Sequence, residues 1–347
     1  MDRPQVFSAV STSVRQLFLV LRCISFAPKA EVRISREGIR FCVDEARVIQ
    51  GITSLEKSLF TSYDLRIDDE DASSLPPFEI SMPALLETLQ IFGLSENSYK
   101  SSGGGFSSSA TNAFTTPALA LAGSCRLTYA ETGAPLSITI AEGPVTTTAE
   151  LSTYALAAVY EDDSAIPLDR TSLCLKTIMP SSFLSDAIAE LSGTNPDVLL
   201  LNVSGRSAPY LSLEGLGGSL GDAVVEYLSE SKEPGSSRNR KQPSVTETFV
   251  VTPTPDTHGR IKTRYKFDLI KKAGRAMQLA TKVSVRQDGG GVLSLQFLVD
   301  SVQTSFGSGI QAPQGGSNPL FIEFRLLPLV DEESEVEMTE DQSEDSD

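Results

Sequence analysis

Residues 260–297 read RIKTRYKFDLIKKAGRAMQLATKVSVRQDGGGVLSLQF. From His258 to Arg286 the chain carries nine Lys and Arg (Arg260, Lys262, Arg264, Lys266, Lys271, Lys272, Arg275, Lys282, Arg286) and one acid, Asp268. The full 347 residues hold 29 bases against 45 acids, a formal charge of −16. A basic island in an acidic chain suits an anionic partner, although a merely solvated face would use the same residue types. Tyr265 to Leu269 alternates as a strand does, and Asp268 can cap a following helix. At ~100° per residue, Lys271, Lys272 and Arg275 share one side of that helix. Leu269, Ile270, Ala273, Ala276, Met277 and Ala280 fill the other. The spacing therefore predicts one amphipathic helix, apolar where it packs and basic where it shows. Thr281–Arg286 and Val292–Val299 alternate around Gly289–Gly291, which predicts a hairpin.

Working outward, the same plan recurs. Early in the chain, Gln5–Val10 reads as a strand and Thr12–Phe26 as a helix with Val14, Leu17, Phe18, Leu21 and Ile24 inward and Arg15 and Arg22 on another face. Strands follow at Glu31–Arg36, Ile39–Asp44, Val48–Thr53, Ser58–Ile67 and Phe78–Met82. Pro83, at its preferred first helical position, then opens a helix to Phe92. Cys125–Tyr129, Leu136–Ala141 and Val145–Leu151 close this half as strands. The second half restarts with a strand at Leu173–Ile178 and a helix after Pro180. More strands and the opening stretch follow, and the last strand is Leu320–Leu327. The chain reads as a two-fold repeat, α+β in class. Residues 1–151 form a first module, 152–170 a connector and 171–330 a second module. Residues 331–347 form an acidic tail. Low-complexity loops at 95–117, 229–244 and 305–318 are unsuited to a core.

Composition narrows the chemistry. The last 17 residues hold ten acids and no base, so the charge without them is −16 + 10 = −6. Cys23, Cys42, Cys125 and Cys174 form no Cys-x-x-Cys pair and read as buried thiols of a reducing compartment. One histidine, His258 in a polar turn, argues against a zinc site and against Ser-His-Asp chemistry. No apolar run is long enough for a membrane span. No cofactor, metal or catalytic residue is assigned.

Four segments resemble a known family: Glu31–Glu45 (EVRISREGIRFCVDE), Phe78–Gly93 (FEISMPALLETLQIFG), Tyr265–Phe297, and Phe321–Glu333 (FIEFRLLPLVDEE). They are similar to the Rad-one subunits of the nine-one-one DNA-damage checkpoint clamp, relatives of proliferating cell nuclear antigen. The resemblance implies a DNA-clamp fold, in which two modules of antiparallel sheet, each with two short helices, form a crescent. It implies a heterotrimeric, non-catalytic, nuclear ring around duplex DNA, with two other checkpoint-clamp subunits, a clamp loader, and repair and signalling proteins as partners. On this reading Arg15, Arg22, Lys271, Lys272 and Arg275 face phosphates without reading sequence. Edge strands carrying Val145, Thr147 and Ala149, and Val224, Glu226 and Leu228, meet neighbouring subunits. The connector residues Tyr154, Leu156, Val159, Tyr160, Ile166 and Leu168 lie where clients dock.

Two other functions stay open on sequence alone. One is a metal-dependent DNA exonuclease using acids such as Asp44 with Glu45, Asp68–Asp71, or Asp162 with Asp163. The other is a homotrimeric replicative clamp. In the tail, Ser334, Thr339, Ser343 and Ser346 stand among acids, as sites for an acidophilic kinase would, or as ordinary residues of a solvated tail.

Overall fold

The computed structural model describes residues 5–12, 14–67, 73–90, 124–142, 145–156, 165–229, 242–252, 259–300 and 319–330. It separates into two compact units that follow spatial contact rather than chain order. Unit 1 comprises Met1–Ile166, Lys272–Val283 and Leu295–Arg325, and unit 2 comprises Pro167–Lys271, Ser284–Ser294 and Leu326–Asp347.

The first part of the chain runs β1 (Phe7–Ser11), α1 (Val14–Cys23), β2 (Lys29–Ile34), β3 (Gly38–Glu45) and β4 (Ile49–Glu56). A 3-10 turn at Lys57–Leu59 leads to β5 (Ser62–Leu65), β6 (Phe78–Ser81) and α2 (Met82–Gln90). Then come β7 (Ser124–Tyr129), β8 (Leu136–Glu142), β9 (Val145–Leu151) and β10 (Tyr154–Ala155). The later part runs β11 (Leu173–Pro180), α3 (Ser181–Ser192), β12 (Val198–Ser204), β13 (Leu211–Leu216), β14 (Ala223–Tyr227) and β15 (Thr248–Val251). It ends with β16 (Arg260–Lys266), α4 (Phe267–Lys271), α5 (Gly274–Leu279), β17 (Lys282–Asp288), β18 (Leu293–Val299) and β19 (Leu320–Leu326). The α+β class expected from the sequence is what forms: antiparallel sheets carrying a few short helices.

In unit 1, one sheet has the order β5-β1-β7-β8-β9 and a second the order β10-β6-β2-β3-β4-β19-β18. Strand alternation sets the burial. In β1, Phe7, Ala9 and Ser11 are buried and the residues between them are not, as a half-covered antiparallel strand requires. Between the sheets Phe78 stacks on Tyr129 with centroids 4.7 Å apart. The β2–β3 turn depends on a residue without a side chain, because a Cβ at Gly38 would lie 2.2 Å from the Leu55 carbonyl oxygen. Helix α1 buries Leu17, Phe18, Val20 and Leu21 and packs against α2 and α5. Phe324 joins this core, its ring 6.1 Å from Phe26 and 6.0 Å from Phe297.

In unit 2, β14-β13-β12-β16 form a four-stranded sheet. Strand β12 lies between β13 and β16, with Leu201 opposite both Leu213 and Thr263. Helix α3 packs on β11, β13 and β14 through Leu184, Ala187, Ile188 and Leu191. Tyr265 is fully buried, and its hydroxyl donates to the Gly291 carbonyl at 2.7 Å.

The strand read over Tyr265–Leu269 is instead the end of β16, Arg260–Lys266, with α4 starting at Phe267, and two further elements differ from the sequence reading. The single helix expected after Tyr265 is two one-turn helices, α4 and α5, with Ala273 between them at φ −77°, ψ −4°. That ψ leaves the helical range, and the next residue, Gly274, is a poor helix former. The apolar period continues through the break because Ile270, Ala273, Ala276 and Met277 are all buried. Ser58–Ile67, read as one strand, is the 3-10 turn followed by the four-residue β5. The turn is drawn back by the Lys57 N–H bonding the Glu37 carbonyl at 2.8 Å, a contact across 20 residues that local alternation does not encode.

Replacing Phe324 with Ala removes a ring with no exposed area from this core and should cost about 3–5 kcal/mol. Phe321→Ala, on a side chain that is 39% exposed, should cost under about 1 kcal/mol. Urea denaturation of the two variants, followed by circular dichroism, measures the difference; equal midpoints would contradict this account of the core.

Candidate functional site

The helical cations are arranged by local packing. Lys271 ends α4, Lys272 lies in the turn, and Arg275 stands in the first turn of α5. Lys271 is exposed, and its ammonium pairs with Asp268 at 3.0 Å along the same helix. Its ammonium also sits 5.8 Å from the Phe267 ring centroid. Lys272 is more covered: it pairs with Glu45 at the end of β3 and lies 5.6 Å from the Phe26 ring centroid. Arg275 Nη1 donates to the Arg22 carbonyl and to Ser25 Oγ, both at 3.3 Å. Unit 1 thus brings together Arg22 and Arg275, which the sequence separates by 253 residues. The Arg22 guanidinium rests 5.8 Å from the Phe18 ring centroid, and Arg15 is half-buried two turns earlier on the same helix.

These contacts divide the five cations. Lys271 and Arg275 are exposed, and their partners are surface groups that compete weakly with phosphate. Lys272 is partly spent on Glu45 and contributes to packing as well as to charge. Any phosphate contact would be sequence-independent and salt-sensitive.

The two strands expected to meet neighbouring chains are both sheet edges. Strand β9 is outermost in its five-stranded sheet and β14 is outermost in the four-stranded sheet. On β9, Val145 is 51% exposed and Thr147 and Ala149 are half-buried. On β14, Val224 is 53% exposed and Glu226 is exposed, while Leu228, also exposed, lies one residue beyond the strand. An open edge with apolar residues along it is a template for another strand.

The connector residues do not share one environment. Tyr154 is 52% exposed on β10, which pairs with β6, and its ring takes the Lys29 ammonium at 5.5 Å. Leu156 and Leu168 are half-buried. Ile166 is buried, 4% exposed, with its N–H held by Gln50 Oε1 at 2.6 Å and its carbonyl by Arg325 at 2.9 Å. Ile166 therefore anchors the segment into unit 1 and offers no side chain to a client. Val159 and Tyr160 lie outside the described residues, as do Ser334, Thr339, Ser343, Ser346 and His258. Further along, Asp169 accepts hydroxyl bonds from Ser172 and Thr171 and the Thr171 N–H. These hold its carboxyl down at about 2, against an ordinary value of 3.8.

Two of the acids considered for metal chemistry, Asp44 and Glu45, have other work. Asp44 accepts the Arg47 N–H at 3.0 Å and the Gln50 amide at 2.8 Å, closing the β3–β4 turn, and Glu45 takes Lys272. Asp68–Asp71, Asp162 and Asp163 lie outside the described residues. All four cysteines are buried. Burial pushes the Cys23 thiol up to about 12, against the opposing pull of Arg275 and Arg22, and does the same to Cys42 and Cys125. Among the described residues no helix is long and apolar enough to cross a membrane.

One charged feature escaped sequence reading. Arg36, Lys57, Arg66 and Arg126 line one open groove in unit 1. They are spread over 90 residues and form no run, so only strand pairing assembles them.

Comparison with known proteins gives a consistent picture. The family model described as "Repair protein Rad1/Rec1/Rad17" matches residues 6–299. The chain is 28% identical over 299 residues to the DNA damage checkpoint control protein rad1 of Schizosaccharomyces pombe, covering 85% of this chain and 81% of that one. It is 28% identical over 289 residues to the cell cycle checkpoint protein RAD1 of Mus musculus, covering 83% and 84%. For the protein of the same description from Homo sapiens the figures are 26% over 302 residues, 86% and 88%.

Thiols that stay protonated react slowly. With Ellman's reagent at pH 8, the native chain should show less than about one fast-reacting thiol, and in denaturant all four of its cysteines should react. Stoichiometric fast labelling of the native chain would contradict the burial described.

Proposed function

The chain belongs to the Rad1/Rec1/Rad17 repair-protein family, and from that premise we propose that it is a non-catalytic subunit of a heterotrimeric checkpoint sliding clamp acting in the nucleus. Its antiparallel sheets and short helices are those of the clamp fold. The observation that carries the proposal is that β9 in unit 1 and β14 in unit 2 are each an outermost strand with an exposed valine. A chain with two different unpaired edges can be joined at both, and two different neighbours complete a ring. The neighbours are two other checkpoint-clamp subunits. A clamp loader opens the ring, and repair and signalling proteins use it as a platform.

Duplex DNA passes through without sequence readout. The helical cations supply the phosphate contacts, with Lys271 and Arg275 contributing most, Arg15 and Arg22 supporting them and Lys272 contributing less. Tyr154, Leu156 and Leu168 form the client-facing part of the connector. A non-catalytic role is supported by the commitment of Asp44 and Glu45 to turn and ion-pair bonds.

Two measurements test this. Val145→Asp and Val224→Asp, on exposed edge positions, should leave the chain folded by circular dichroism while each abolishes co-purification with one neighbour. If each variant still recovers both neighbours at equal stoichiometry, the edges are not the joints. Within the assembled complex, Lys271→Glu with Arg275→Glu should prevent retention on closed circular DNA. It should also flatten the salt dependence of DNA binding by about 0.9 in log–log slope per lost phosphate contact. Unchanged retention and slope would remove DNA from the assignment of these residues and leave the edge assignment standing.

A further inference from the structure

Parity along β3 decides where Glu45 goes. Ile39, Phe41, Val43 and Glu45 fall on one face of the strand, and the first three are buried. Glu45 ends the row where this apolar face gives way to the surface, and its side chain is 40% exposed. The chain then reverses over Ala46 and Arg47, with the Val48 N–H bonding the Glu45 carbonyl at 3.1 Å. Both central residues are left-handed, at φ 54° and 57°. This is a type I′ hairpin turn, which favours Asn and Gly, so alanine and arginine there strain the backbone. Asp44 braces the turn through the Arg47 N–H and the Gln50 amide, and Gln50 is itself fully buried. A strained turn persists only where its surroundings hold it, and such turns collect at working sites. Glu45 is thus carried on a fixed support.

What Glu45 meets there is Lys272. The Lys272 ammonium pairs with its carboxylate and lies 5.6 Å from the centroid of the Phe26 ring. Phe26 is fixed in turn, because a Cβ at Gly51 would stand 2.7 Å from that ring. Lys272 is therefore held twice, by a carboxylate and by an aromatic face. Three residues on, Arg275 bonds neutral acceptors, the Arg22 carbonyl and Ser25 Oγ. A phosphate that reaches Arg275 displaces no carboxylate from these bonds. One that reaches Lys272 must displace Glu45 and stand beside its negative charge.

On the DNA-encircling reading, on which this inference rests, that difference has a use. A phosphate contact must be broken and remade for each displacement along the duplex, so a ring that moves freely needs few firm ones. We propose that Glu45 is a restraining residue of the DNA passage: it holds Lys272 back from phosphate, so that one contact the passage could make stays unmade and the ring slides rather than grips. Glu45 touches no DNA in this account and acts through Lys272.

The test follows the DNA affinity of the assembled complex against salt. Glu45→Gln keeps the shape of the side chain and removes its charge. It should steepen the log–log slope by about 0.9, so that affinity falls a further ~3.5-fold between ~50 and ~200 mM salt. Diffusion of the variant complex along DNA, followed by single-molecule imaging, should slow. Glu45→Asp retains the carboxylate and should keep the slope near the native one. Lys272→Met alone should barely move the slope, and in the Glu45→Gln background it should cancel the gain. An unchanged slope in Glu45→Gln, beside a slope lowered by Lys271→Glu with Arg275→Glu, would overturn the inference and leave the DNA assignment standing. Equal steepening by Glu45→Gln in the Lys272→Met background would also overturn it, since Glu45 would then act by bare repulsion. A slope indifferent to every one of these changes would remove the DNA assignment and this inference together.

Discussion

Every peptide group in a sheet offers a donor and an acceptor, and the outermost strand of an open sheet cannot spend half of them at home. This chain is built almost wholly from open antiparallel sheets, so the management of edges shapes everything else. Strand β16 is an edge fitted with Lys262, Arg264 and Lys266 on its exposed positions, the usual defence against unwanted pairing. The Leu329 N–H also covers it, bonding the Arg264 carbonyl at 2.8 Å. Strand β5 is flanked by cations of the groove. Strands β9 and β14 are left with valines at the surface. Of these four edges two are guarded by cations and two present valines, the latter being those the assignment uses; β10 and β15 are the remaining edges among the described strands, and β15 also exposes Val250.

The basic island from which the sequence reading begins divides along the same lines. Its strand cations, Lys262, Arg264 and Lys266, serve an edge. Arg260 is consumed in a network with Asn202, Ser207, Ala208 and Pro209. Of its helical cations, Arg275 stands where α5 packs on α1, and Lys272 is held by Glu45. A count of nine charges in one stretch therefore overstates the charge available to an anionic partner. The available part is a few side chains whose internal partners are weak and exposed.

Where physics is local, the sequence is legible. Strand β9 occupies Val145–Leu151, the limits its alternation predicts, and its edge position is consistent with the resemblance. The class of the fold follows from the density of alternating segments and turn residues. What fails are features decided at long range. The break between α4 and α5 hides inside an unbroken apolar period, with Gly274 as the one local hint. The burial of Ile166 depends on Gln50 and Arg325, 116 and 159 residues away. The groove cations come from four elements, and no window of sequence contains more than two of them closely spaced.

The buried thiols have a consequence for the conditions under which such a protein must persist. Oxidants and radicals that break DNA also attack sulfur, and they select thiolates open to solvent. A chain whose cysteines are enclosed and protonated presents those agents with little to react with. Its thiols are therefore poor targets for the same insult that creates the lesions.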